Sequence, residues 1–198
     1  MTEHCQSTTG NTVVIGSAAM LSRIAPKFPR LFRTFFKKKA APHEIGMSFV
    51  DMIVKSRADK PETRSVLASL SEKDRERVQF ETMLLQGFVI EYVTSELFRN
   101  RPEKQGILTA YRGALGSLAG KDPVWRAFDA ELRLRLLRYT EAVIAPSLDA
   151  MLTRLGNAFA DACGHPGDRT LSTLGILEFE IQYVATCTLC CDYVGAFG

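Results

Sequence analysis

Histidine is scarce in this chain, and the catalytic patterns built on it are missing. The 198 residues contain three histidines, His4, His43 and His165. None has the HExxH spacing of a zinc hydrolase, and no Glu-x-x-His repeats on two helices as a carboxylate-bridged di-iron bundle requires. A haem pocket would have to draw its axial ligand from a loop or the tail. GxxxxGK[ST], a GxGxxG after a strand and a GxSxG elbow are also absent. No catalytic residue and no cofactor is assigned.

The chain also has little to make a sheet or a membrane span. No alternating apolar run lies between turn residues, and there is no Asn-Gly or Asp-Gly hairpin signal. The early apolar run at residues 13–21 is nine long, whereas a span needs about 20. The segment after residue 170 is apolar, but Glu178, Glu180 and Gln182 interrupt it and no Lys or Arg flanks its end. Five cysteines, an odd number, do not make a secreted disulfide framework, which points to an intracellular, reducing compartment.

Acids are almost absent from the first 43 residues, which carry seven basic side chains against Glu3 alone, a charge of +6 within a total of +3. Any polyanion attracted to the chain would be met there. The same stretch, amphipathic with Ser, Thr and Arg, has the composition of an organelle targeting segment. With 46% hydrophobic and 24% charged residues, the remainder has the balance of a folded protein.

Three regions follow. Residues 1–12 read as a flexible, disordered tail, residues 13–43 as a basic amphipathic segment, and residues 44–198 as an α-helical bundle domain. Within the second, Phe28, Leu31, Phe32, Phe35 and Phe36 fall at helical spacing, opposite Arg30, Arg33 and Lys37 and beside Lys27, Lys38 and Lys39. A helix of about ten residues is marginal alone, so its apolar face needs a cover. The separation of aromatics from cations argues against stacking on nucleic acid and for a protein partner, a membrane surface or the chain's own bundle.

The fold expected is an all-α single domain of six or seven helices. Helices are predicted over residues 43–57 and 62–70, then from Ser71, with Asp74 and Glu76 behind it, to about residue 99. The last of these is apolar on two rows. Val78, Leu85, Val89 and Tyr92 form one, and Met83, Leu84, Ile90, Leu97 and Phe98 the other, the pattern of a helix central to a bundle. A weaker helix spans residues 103–118, where Gly106, Gly113 and Gly116 are read as points of close helix approach.

Asp122-Pro123 starts the next helix. Trp125, Phe128, Leu132, Leu136, Tyr139 and Val143 line its inner stripe, while Asp129 with Arg133 and Glu131 with Arg135 mark a solvated face. Pro146 forces a kink or restart, "GHPG" at 164–167 closes the following helix, and a last helix runs nearly to the end.

Three functions fit these features. The foremost is a noncatalytic interaction or assembly module, a subunit or adaptor whose basic N-terminal helix docks on a protein partner or anionic surface, with homo-oligomerisation through the apolar last helix included. The alternative is a carrier or sensor holding an apolar small molecule among Phe88, Tyr92, Trp125, Phe128, Tyr139 and Phe159. The third is a thiol or metal enzyme using Cys187, Cys190 and Cys191, which share a helix face, with Glu180 or the Cys163/His165 pair completing a ligand set. Buried cysteine is otherwise a small hydrophobe, and no second CxxC supports zinc.

Overall fold

A computed structural model describes residues 41–56 and 61–194 of the chain. Seven helices and no strand are present among these residues: α1 Pro42–Ser56, α2 Pro61–Ala68, α3 Glu72–Leu97, α4 Glu103–Ala119, α5 Pro123–Val143, α6 Leu148–Ala162 and α7 Arg169–Val194. The expected all-α single domain is the fold observed. The N-terminal tail and the basic segment up to residue 40 lie outside the described residues, Lys27 to Lys39 included.

Each boundary has a local cause. The Ser71 hydroxyl accepts the Asp74 amide at 3.2 Å and opens α3. The Asp122 carboxylate accepts the Val124 amide at 2.8 Å, and Pro123 follows where no N–H is needed. Pro146 does not kink α5: the helix stops at Val143, Ile144 turns extended, and Ser147 caps α6 through the Ala150 amide. At the end of α6, Gly164 has φ +85°, the His165 amide bonds the Ala160 carbonyl and the Gly164 amide bonds that of Asp161, a Schellman closure. Arg77 of α3 reaches over this turn and donates Nε–H to the Ala162 carbonyl at 3.1 Å.

Helix α3 divides the interior into two cores. Val78, Leu85, Val89 and, at its margin, Tyr92 belong to a core completed by Met151, Leu152, Leu155 and Phe159 of α6 and Leu171, Leu174 and Phe179 of α7. Met83, Leu84, Ile90 and Phe98 belong to a second, shared with Ile45, Phe49 and Ile53 of α1 and Ile107 and Tyr111 of α4, and Leu97 packs against both. The two rows predicted on this helix are thus the two cores. Helix α5 crosses both, giving Trp125, Phe128 and Leu132 to the second and Tyr139 and Val143 to the first.

The glycine expectation holds at Gly106 of α4 and fails at Gly113 and Gly116. A Cβ at Gly113 or Gly116 would meet nothing within 4 Å, because both face solvent; only Gly106 has a neighbour, Pro42 Cβ at 3.2 Å. Closer approach occurs at Gly46 of α1, where a Cβ would lie 2.6 Å from the Ile107 carbonyl oxygen, and at Gly156 of α6, 2.6 Å from that of Ser172. Backbone, unlike a flexible side chain, cannot step aside.

These environments predict opposite outcomes for one substitution. Gly156→Ala forces α6 from α7 and lowers stability by about 1–3 kcal/mol, whereas Gly113→Ala fills open space on a helix exterior and adds up to about 1 kcal/mol. Urea unfolding of both variants checks this, and equal effects of the two would contradict the packing described.

Candidate functional site

Polar groups in the interior are the first place to look for chemistry, because each must be matched there. Glu81 of α3 is 2% exposed. Its carboxylate accepts the Tyr139 hydroxyl at 2.7 Å and Arg135 Nε–H at 2.9 Å, both from α5. Arg135 was expected on the solvated face with Glu131. It does touch Glu131 at 3.5 Å, but the side chain turns inward and is largely covered because Glu81 needs a cation.

Further along α3, Glu91 is held by Arg112 of α4 in a two-pronged pair at 2.6 and 3.0 Å. Gln86 reaches Glu178 of α7 at 3.5 Å, and Gln182 of α7 donates to Thr186 Oγ1 at 3.2 Å and lies 2.9 Å from Met52 Sδ. Glu178 and Glu180, read from the sequence as interruptions of an apolar helix, are both buried within the bundle. Helix α7 has the length and apolarity of a membrane span over Arg169–Cys191, yet most of that stretch is enclosed by the other helices.

Burial pushes the Glu81 carboxyl above its ordinary range, while the Tyr139 hydroxyl and Arg135 pull it back. Burial, with the Glu81 charge beside it, pushes the Tyr139 hydroxyl well up. The group is enclosed and mutually satisfied, the arrangement of a structural tie and not of an acid poised over a cleft.

The three cysteines of α7 do not form one site. Cys187 packs in the first core, Cys190 in the second, and Cys191 is half-buried. Among the described residues no three His, Cys, Asp or Glu side chains converge as metal ligands. Burial pushes the Cys187 thiol up to about 12 and Cys190 higher still, with the neighbouring sulfurs adding to both. Cys163 in the turn after α6 is likewise pushed up to about 12 by burial. Its sequence neighbour His165 faces Asp74 at 3.4 Å.

The six aromatics proposed as a pocket lining are divided as well. Phe88 stacks on Tyr92 at 5.7 Å and meets Tyr139 at 5.3 Å in the first core, with Phe159; Trp125 meets Phe128 edge-on at 5.4 Å in the second. They fill space by contact with one another and with aliphatic neighbours. A groove of about 370 Å³ opens elsewhere, between α2 and α7, lined by Val66, Thr173, Leu174 and Leu177.

What the sequence reading missed is on the outside of α5. Leu134 is 59% exposed, Leu137 70% and Ile144 47%. Leu134 and Leu137 share the face opposite the inner stripe of that helix, Ile144 follows just past its end, and their 3- and 7-residue spacing was the available signal. Comparison with family models, curated proteins and solved structures returned no match.

Two outcomes follow. Glu81 takes up a proton more readily folded than unfolded, so its stabilising share is complete below about pH 4.3 and is lost as pH rises through its raised native value. Arg135→Ala leaves that carboxylate buried without its cation and lowers stability by about 3 kcal/mol at pH 7, with a smaller loss at pH 5, where the carboxyl is closer to neutral. Urea titrations at the two pH values check both the size and the direction. Second, of the four described cysteines only Cys191 should be alkylated by iodoacetamide at pH 8 in the native protein, and all four in urea. Modification of native Cys187 or Cys190, located by peptide mass spectrometry, would contradict their burial.

Proposed function

We propose that the chain is a noncatalytic α-helical contact module, a subunit or adaptor, whose basic segment at residues 26–39 docks on a protein partner or anionic surface. One observation carries this reading: Leu134 and Leu137 on the outer face of α5 are the two most exposed large hydrophobic side chains among the described residues, with Ile144 also exposed just past the helix end. Large aliphatic side chains aligned in solvent mark contact surfaces. The segregated charge of the first 43 residues adds a second, independent contact region. The interior lends less to the alternatives. Its aromatics pack on one another, burial holds the Cys187 thiol in its protonated, poorly nucleophilic form, and among the described residues no three ligating side chains converge on a metal position.

The test is affinity purification from native cells, read for proteins and lipids together. It compares the full chain, a form lacking residues 1–40, and Leu134→Glu/Leu137→Glu. The truncation leaves α1 whole, since that helix starts at Pro42. Both altered forms should keep the helical circular dichroism of the bundle and lose most of the bound partner. Retention of the same partners at full-chain levels by both would defeat the proposal.

A further inference from the structure

The exposed face of α5 has a finer pattern than three aliphatic side chains. Ala127, Ala130, Leu134, Leu137, Glu141 and Ile144 are all exposed and follow each other at intervals of 3, 4, 3, 4 and 3 residues. That alternation is the a and d seam of a coiled coil, here on the outside of a folded domain. From Ala127 to Glu141 it covers about 21 Å of helix at 1.5 Å per residue, and Ile144 stands just past the last turn. Beside the seam stand Arg126 and Arg133 on one flank and Glu131 and Arg138 on the other.

We infer that this face pairs with the same face of a second copy of the chain, the two α5 helices antiparallel about a two-fold axis between Leu134 and Leu137. This rests on the reading of the chain as a contact module and names its partner. In that register Leu134 lies across from Leu137 of the second copy, and Ala127 across from Ile144, small against large. Glu131 meets Arg138 of the second copy, and the symmetry makes that pair twice. Glu141 falls opposite Ala130, with Arg133 of the second copy one turn away.

Charge decides the direction. A parallel pair would set Arg133 against Arg138 and Glu141 against its own copy, like charges in both cases. The intramolecular partners are weak competitors: Arg138 touches Asp161 at 3.1 Å and Arg133 touches Asp129 at 4.0 Å, all substantially exposed, and Glu131 lies 3.5 Å from Arg135, whose guanidinium is already held by Glu81. Two helices of this length make a small interface, at the low end of the range of specific contacts.

Sedimentation of the full chain tests the inference. Between about 1 and 300 µM, the range in which a small interface associates, the wild type should pass from monomer to dimer. Leu134→Glu/Leu137→Glu, both at exposed positions, should remain monomeric with an unchanged melting temperature. Glu131→Arg and Arg138→Glu should each weaken the dimer about tenfold, and the double exchange should restore it, because only the antiparallel register sets these two residues against each other.

A wild type that stays monomeric, a leucine variant that still dimerises, or a double exchange as weak as its singles would each overturn the inference. The contact-module reading falls separately. If the chain is monomeric but the leucine variant loses a cellular partner, another protein occupies this face; if the chain is monomeric and neither the leucine variant nor the form lacking residues 1–40 loses a partner, both are wrong.

Discussion

Enclosing α3 is the constraint on which the rest of this structure depends. From Met83 to Thr94 every residue of that helix but Tyr92 is buried, so this stretch has no solvent side to carry its polar groups. Its apolar rows require cover from α6 and α7 on one side and α1 and α4 on the other. Its polar residues require more than cover. Glu81 draws Arg135 and Tyr139 inward, Glu91 recruits Arg112, and Gln86 faces Glu178. Of these forces the apolar burial is the larger: one fully buried Leu or Phe contributes about 1.5–3 kcal/mol, whereas a buried ion pair roughly offsets its own desolvation. The ion pairs therefore do more to select which helix faces meet than to hold the bundle together.

That selection explains why α5 presents the face it does. Tyr139 and Arg135 must point to Glu81, and Trp125, Phe128 and Leu132 must enter the second core on the same side. Packed against α3, α4 and α6, the helix has one direction left free, and its 3.6-residue period puts Leu134 and Leu137 there. A contact surface thus arises at the edge of the bundle as the remainder of a helix whose other sides are committed. The buried thiols of α7 follow similar logic: Cys187 and Cys190 serve as small apolar fillers of two different cores, and burial keeps them protonated.

Much of the fold was legible without coordinates, because it depends on nearest neighbours along the chain. Ser71, Asp122 and the GHPG turn mark helix ends through local hydrogen bonds and backbone preference, and they do so in the structure. The two apolar rows of α3 could be read for the same reason, since a helix converts spacing directly into faces. The candidate sites were less legible. Six aromatics with the composition of a pocket lie in two separate cores, and three cysteines on one helix face diverge into different surroundings, because which helix covers a face is not written in that face's own spacing.

The sequence by itself determined helix positions, caps, the central role of residues 72–97 and the separation of charge toward the N-terminus, all properties of short stretches. Only the tertiary structure decided that Arg135 turns inward, that Gly46 and Gly156 and not Gly113 or Gly116 admit close contact, and that Leu134 and Leu137 stay outside. The physical reason is common to all three. Burial is a relation between helices distant in the chain, and a residue's neighbours across an interface are set by the packing of the whole bundle.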